Sequence, residues 1–135
     1  DLPVAFVEKR RIGEKTECLT VIGDVKGRDV ILVDDEVNTA VTICDDIRAL
    51  VEKGVRDIYC CFVHPILSAN ACERLGALPI KELVTTDSVP ISEEKMAWLP
   101  KTTVISVAPL LAGVIKRVHS GHSVGEMFVP YHGYS

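Results

Sequence analysis

The feature that most constrains the fold is an apolar run, residues 30–33, that leads directly into the adjacent carboxylates Asp34 and Asp35. Apolar, β-branched runs of this kind are typical of strands buried in a parallel sheet. Ligands bind at the carboxyl ends of such strands, where a loop leads into the next helix. Here that loop carries Thr39 and Thr42. Because loop N–H groups and a helix N-terminus attract anions, the segment predicts a phosphate-binding strand, loop and helix.

The segment after the loop has the periodicity of an amphipathic helix. Four apolar residues recur at i, i+4, i+7 and i+8: Ile43, Ile47, Leu50 and Val51. Gly54 stands where a helix cap belongs, and a second apolar run follows at residues 58–63. Strand, helix and strand at this spacing predict a right-handed βαβ unit. We therefore predict an α/β fold with a mainly parallel sheet flanked by helices.

The same reasoning predicts the remaining elements. Further strands are expected at residues 4–7, 18–22, 80–86 and 102–107, short helices after Ser68 and Ser92, and a last helix from Pro109. Residues 12–20 are mostly polar and are expected to be largely loop. His64 ends the second strand of the βαβ unit, where a hydrogen-bonded structural role is the favoured interpretation.

Composition indicates one globular domain over residues 1–135, with 47% hydrophobic and 25% charged residues. The net charge of −4 argues against nucleic acid or an anionic membrane as the main partner. A cytoplasmic location is expected, because no apolar run approaches the roughly 20 residues of a membrane span and no signal-peptide pattern is present. The cysteines are five in number and form no CxxC pair, which favours buried free thiols: Cys18, Cys44, Cys60, Cys61 and Cys72.

The first strand candidate ends in a basic triplet, Lys9, Arg10 and Arg11. Three adjacent cations repel one another, and a bound polyanion would relieve that cost. A solvated basic loop is the alternative that charge patterning alone favours. The chain also begins directly in this strand candidate, so we expect it to be a piece of a longer protein.

The chemistry of the central loop fits a phosphorylated sugar or nucleotide. Asp34 and Asp35 would accept hydrogen bonds from hydroxyls, while the loop amides and the hydroxyls of Thr39 and Thr42 would surround a phosphate. From the residues alone, an ordinary strand, turn and helix remains equally open. Near the C-terminus, Ser120 and Ser123 lie beside glycines. There an ordinary turn is favoured over a second phosphate site.

Residues 33–43 resemble the ribose 5-phosphate loop of the type I phosphoribosyltransferase fold, whose usual pattern is V-D-D-x-x-D-T-x-G-T. Taken in order, further segments resemble the C-terminal half of the ribose-phosphate pyrophosphokinase family: residues 7–11, 21–25, 64–68, 80–84, 108–112 and 123–128. The likeness covers nearly the whole chain. It implies transfer of diphosphate from ATP to ribose 5-phosphate with Mg2+, in a homo-oligomer, with the ATP-binding half lying upstream of this chain.

The resemblance also implies roles for individual residues. Lys9 matches the catalytic lysine of the family and Arg11 its companion, both on a loop that closes over ATP. Asp34 and Asp35 would hold the ribose hydroxyls. The residues that would bind the 5-phosphate are Asn38, Thr39, Ala40, Val41 and Thr42. Ser120 and Ser123 match a region that binds a nucleotide or phosphate effector, and none of the residues present is assigned as a metal ligand.

Two positions depart from the family pattern. Asn38 replaces an acid, so it keeps an acceptor and loses the charge. Val41 replaces the loop glycine, and a β-branched side chain disfavours positive φ and blocks close approach of the backbone to a phosphate. The alternative interpretation is therefore a weak or inactive regulatory homologue. A phosphoribosyltransferase that acts on a base is less favoured, and we expect residues 1–135 alone to have no kinase activity.

Overall fold

The structure is a computed structural model that describes residues 2–12 and 16–128, without the side chains of residues 9–12 and 16–19. The chain divides into two compact units, Asp1–Ile105 and Ser106–Ser135. Each unit is described by itself below. The expectation of one single domain over residues 1–135 stays a prediction.

The first unit begins with an antiparallel hairpin of two strands, β1 (Phe6–Ile12) and β2 (Thr16–Ile22). The strand predicted at residues 4–7 is present but shifted, since β1 starts at Phe6 and continues through the basic triplet. Its predicted burial is wrong, because Val4 and Phe6 are exposed. The strand predicted at residues 18–22 is confirmed, since it lies within β2. The loop predicted at residues 12–20 is wrong where it overlaps β1 or β2, and residues 13–15 lie outside the described residues. Pattern reasoning looks for apolar runs, whereas the backbone hydrogen bonds of a hairpin form with charged residues as well.

Four parallel strands form the main sheet, in the order β3, β4, β5, β6. Their bounds are β3 (Val30–Val37), β4 (Ile58–Pro65), β5 (Ile80–Thr86) and β6 (Thr102–Ile105). The connecting helices are α1 (Val41–Glu52), α2 (Ala71–Gly76) and α3 (Glu93–Met96). The predicted βαβ unit is present, with Val30 of β3 opposite Ile58 of β4. The α/β fold with a mainly parallel sheet is thus confirmed.

The core contains residues from α1, α2 and the sheet. Fully or almost fully buried members include Ile47, Leu50, Cys60, Leu75 and Leu83. Of the predicted helix stripe, Ile43, Ile47 and Leu50 are buried, whereas Val51 is 45% exposed. Gly54 ends α1 with a φ of 76°, as its predicted capping role requires, and its N–H donates to the carbonyl oxygen of Val51 at 2.9 Å.

Successive side chains of β3 alternate in burial. Val30 and Leu32 are partly buried and pack against the core, whereas Ile31 and Val33 are 62% and 74% exposed. Alternation follows from the strand period of two residues. The continuous apolar run therefore presents two faces that differ in burial within this chain.

The second unit contains α4 (Ala108–His119) and a short 3-10 helix (Gly125–Phe128). Pro109 lies in the first turn of α4, as predicted. The guanidinium of Arg117 donates from Nη1 to the carbonyl oxygen of Ser123 and to Oε2 of Glu126, each at 2.8 Å. These bonds join the end of α4 to the 3-10 helix. None of the helices in residues 2–12 and 16–128 is long and apolar enough to cross a membrane.

Candidate functional site

A cavity of about 220 Å³ opens where β3 leads into α1. It is lined by Asp34, Glu36, Val37, Asn38, Thr39, Ala40, Val41, Thr42 and Ile43. Six of the seven predicted ribose 5-phosphate ligands are thereby brought together. The seventh, Asp35, is exposed on the neighbouring position of the strand and is not among the lining residues.

The two aspartates lie within β3, which extends past them to Val37. Asp34 Oδ1 accepts a hydrogen bond from the backbone N–H of Asp35 at 2.9 Å, and Asp35 Oδ1 accepts one from the N–H of Glu36 at 2.8 Å. Burial raises the pKa of Asp34, and the neighbouring carboxyl of Asp35 also raises it. A desolvated carboxylate of this kind gains most from an incoming hydroxyl donor or cation.

The end of the loop has a left-handed backbone. Ala40 has a φ of 60° and is the N-cap of α1, and its carbonyl oxygen accepts the first helical bond from Cys44 at 3.1 Å. Val41 is the first helical residue. Val41 therefore does not occupy the left-handed position of the loop, which is that of its neighbour Ala40. The first N–H groups of α1 have no acceptor within the helix and suit an anion at the cavity.

The segment between β4 and α2 packs against the loop. Backbone N–H groups of Leu67 and Ser68 donate to the carbonyl oxygens of Val37 and Asn38, each at 2.9 Å. The hydroxyl of Ser68 also donates to Oδ1 of Asn38. Ser68 was predicted as the cap of α2, which is wrong: the N-cap is Asn70, and it makes no side-chain capping bond. The Ser68 hydroxyl instead donates its hydrogen bond to Asn38 of the loop.

Arg74 of α2 makes the third contact with the loop. Its Nη1 donates to the carbonyl oxygen of Thr39 at 2.7 Å. Sequence reasoning missed this role, because Arg74 lies 35 residues from its acceptor and looks like an ordinary helix cation. A pattern along the chain carries no signal for such a contact.

His64 lies beside the cavity strand, opposite Glu36 in the sheet register. Its Nδ1 is 3.0 Å from the hydroxyl of Ser88, which in turn donates to the carbonyl oxygen of Val63 at 3.1 Å. This hydrogen bonding agrees with the structural role favoured for His64.

The remaining predicted site residues lie elsewhere. Lys9 and Arg11 are in β1, where Lys9 is opposite Leu19 and Arg11 opposite Glu17, and their side chains are outside the description. Ser120 is the C-cap residue of α4, with its N–H bonded to the carbonyl oxygen of Lys116 at 3.0 Å. Ser123 accepts from Arg117 through its backbone oxygen. Both serines thus take part in the turn that follows α4.

The carboxylates at the cavity bear on whether Mg2+ fits here. Within residues 2–12 and 16–128, no group of three or more His, Cys, Asp or Glu side chains could hold a metal ion. Mg2+ commonly takes only one or two carboxylates and fills its other positions with water and substrate phosphate. Asp34 lines the cavity and could supply one such carboxylate, whereas Asp35 is not among the lining residues.

Comparison with known proteins identifies the family. Residues 4–129 match the phosphoribosyl synthetase-associated domain. Ribose-phosphate pyrophosphokinase of Caldanaerobacter subterraneus subsp. tengcongensis is 46% identical over 127 residues, which are 93% of this chain and 40% of that protein. The corresponding protein of Bacillus subtilis is 42% identical over 93% of this chain and 39% of its own length.

A solved structure gives the same result. Phosphoribosylpyrophosphate synthetase from Mycobacterium smegmatis superposes with a TM-score of 0.78 at 38% identity, over 87% of this chain and 37% of that one. The chain spans about 40% of the length of the curated relatives it matches. The resemblance found in the sequence is confirmed, and the chain belongs to the phosphoribosyl synthetase-associated domain family.

Proposed function

We propose that this chain supplies the ribose 5-phosphate site of a ribose-phosphate pyrophosphokinase. The observation that carries the proposal is that one cavity is lined both by Asp34 and by the loop before α1. Ribose 5-phosphate needs hydroxyl acceptors and phosphate donors at opposite ends. The names of the relatives support the same substrate.

The phosphate end would be bound by the loop and by the first turn of α1. Backbone N–H groups supply donors, and the hydroxyls of Thr39 and Thr42 add two more at the cavity wall. The helix dipole of α1 favours the dianion. None of the described residues that line the cavity is Lys or Arg, so backbone amides and hydroxyls would be the donors there.

The ribose end would be bound by Asp34 and Asp35. Their carboxylates accept hydrogen bonds from sugar hydroxyls and fix the ring, so that the anomeric hydroxyl faces the incoming nucleotide. That hydroxyl attacks the β-phosphorus of ATP, the bond to the α,β-bridging oxygen breaks, AMP leaves, and the hydroxyl proton is released. Mg2+, when bound, neutralises charge on the phosphate oxygens.

Lys9 and Arg11 are proposed to stabilise charge on the transferring group and on AMP. Both residues lie in β1, which pairs antiparallel with β2, and loop closure over the nucleotide would exclude water from the reaction. ATP, Mg2+, a homo-oligomeric state, a nucleotide or phosphate effector and a cytoplasmic location all belong to this proposal. So does the absence of kinase activity in residues 1–135 alone.

A second candidate function is regulatory, namely a homologue that binds ribose phosphate or subunits with little catalysis. Two observations favour it. Asn38 has no charge and its side-chain oxygen is already occupied by Ser68, and the side chain of Val41 lines the cavity that the phosphate would enter. In the longer protein, formation of phosphoribosyl pyrophosphate that rises strongly in a combined Asn38→Asp and Val41→Gly variant would favour this second function.

Calorimetric titration tests the main proposal. Ribose 5-phosphate should bind the chain more tightly than either ribose or inorganic phosphate, because only the complete molecule offers hydroxyls to Asp34 and a phosphate to the loop. Thr42→Val, which removes a cavity hydroxyl at nearly constant volume, should weaken binding several-fold, or about 1 kcal/mol. Thr103→Val removes a hydroxyl bonded to Glu82, away from the cavity, and is the matched control. Equal affinity for ribose 5-phosphate and ribose would contradict the proposal.

A further inference from the structure

Three consecutive carbonyl groups of the loop are held by one neighbouring segment. The acceptors are the backbone oxygens of Val37, Asn38 and Thr39. Their donors are, in the same order, Leu67 N, Ser68 N and Arg74 Nη1, at 2.9, 2.9 and 2.7 Å. In a regular strand, consecutive carbonyl groups point in alternating directions. Here three consecutive carbonyls point toward the same segment, so the backbone of the loop is not that of a strand.

Because a peptide group is planar, the three carbonyl contacts also determine the directions of the three N–H groups that follow them. In a trans peptide group the C=O and the following N–H point in opposite directions. The N–H groups of Asn38, Thr39 and Ala40 therefore point away from the β4–α2 segment that holds the preceding carbonyls. The same three residues line the cavity. The segment from Leu67 to Arg74 thus aims loop amides at the place where a phosphate would lie.

This arrangement of the loop and the holding segment requires unfavourable backbone conformations, whose free-energy cost the contacts must offset. Ala40, Leu67 and Ala69 all have left-handed backbones, with φ values of 60°, 48° and 48°. Each such residue costs about 1 kcal/mol or more. Leu67 is fully buried, which anchors the holding segment, and Ser68 adds its side-chain bond to Asn38. The positive charge of Arg74 lies on the carbonyl side of the Thr39–Ala40 peptide group. It also favours an anion on the N–H side of that group.

We propose that Arg74, assisted by Ser68, is a positioning residue that orients the loop amides for phosphate binding. The proposal rests on the proposed function for its ligand. Arg74 does not line the cavity and is not a ligand itself. It acts through the Thr39–Ala40 peptide group, whose carbonyl it holds and whose N–H it thereby directs.

The test measures two quantities separately: the affinity for ribose 5-phosphate and the NMR resonance of the Ala40 amide. Arg74→Met should weaken ribose 5-phosphate binding about ten- to a hundredfold, the value of one charge-assisted hydrogen bond. In 15N-labelled protein without ligand, the Ala40 amide resonance should shift in Arg74→Met. Arg74→Lys can donate the single bond to Thr39 and should restore both readouts most of the way. Arg48→Met, which breaks an exposed pair with Asp45 on α1, is the control and should change neither.

The outcomes are distinguishable. If Arg74→Met keeps wild-type affinity and an unshifted Ala40 resonance, the positioning role is overturned. It is also overturned if Arg74→Lys restores thermal stability but neither affinity nor the resonance, because a merely structural arginine would behave in that way. If the wild-type chain binds no ribose 5-phosphate, the proposed function fails, and the Ala40 resonance alone still decides whether Arg74 orients the loop. Ser68→Ala gives a second, smaller perturbation should Arg74→Met not fold.

Discussion

Val41 follows Ala40 directly, and it is Ala40 that carries the left-handed backbone while Val41 begins helix α1. A glycine at position 41 would therefore relieve no backbone strain. The remaining difference between Val41 and the glycine of the family pattern is the side chain. Val41 is 48% exposed and lines the cavity.

We expect Val41→Gly and Val41→Ala to tighten ribose 5-phosphate binding equally, to within about twofold. Both variants remove the bulk of the side chain, whereas only glycine would relieve a positive φ. Titration calorimetry on the two variants checks this, and Val41→Ala should be the more stable by about 0.5–1 kcal/mol as a helix residue. A gain that glycine alone produces would show that backbone freedom at position 41 matters after all.

The carboxyl of Asp34 should make stability depend on pH. Burial raises its pKa in the folded protein above the usual value, so the folded state binds this proton more tightly than the unfolded state does. The resulting destabilisation is present above the raised pKa and is lost as the pH falls below about 3.8.

Asp34→Asn should consequently raise the melting temperature at pH 7 and leave it unchanged near pH 3. The amide keeps an oxygen to accept from the Asp35 N–H. Thermal melts at several pH values check the prediction, with the exposed Glu36→Gln as the control. A lower melting temperature for Asp34→Asn at pH 7 would mean that burial does not dominate at this carboxyl.

Cys60 should resist alkylation in the folded chain. Burial raises its pKa to about 12, so at pH 8 only roughly one thiol in ten thousand is a thiolate. Cys61 is only partly buried and should be modified first. Iodoacetamide labelling of Cys60→Ala and Cys61→Ala, read by peptide mass spectrometry, separates the two neighbours. If Cys60 and Cys61 are labelled at equal rates in the folded chain, both well below their rates in urea, the predicted order is wrong.

Leu50 and Val51 are adjacent on α1 but differ in burial, at 2% and 45% exposure. Leu50→Ala should cost about 2–5 kcal/mol because it leaves a cavity in the core. Val51→Ala should cost about 0.5 kcal/mol or less, since alanine is the better helix former. Urea denaturation measures both, and similar losses for the two variants would place Val51 in the core as well.

Local pattern predicted much of the fold. The βαβ unit, the strand β5 and the cap at Gly54 depend on residues close together in the chain, where periodicity and backbone preference act directly. The pairing of β1 with β2 and the full length of both strands were missed, because the added residues are largely charged or polar and are held by backbone pairing rather than by an apolar stripe. The predicted ligands remain predictions, although their gathering in one cavity agrees with them.

By itself, the sequence determined the class of fold, the family and the position of the loop, because each depends on residue types at short spacing. The tertiary structure alone decided how the loop is held. Arg74 reaches Thr39 across 35 residues and Ser68 reaches Asn38 across 30, and the left-handed turn lies at Ala40 rather than at Val41. Contacts between distant segments depend on how helices and strands pack, and no local preference encodes that packing.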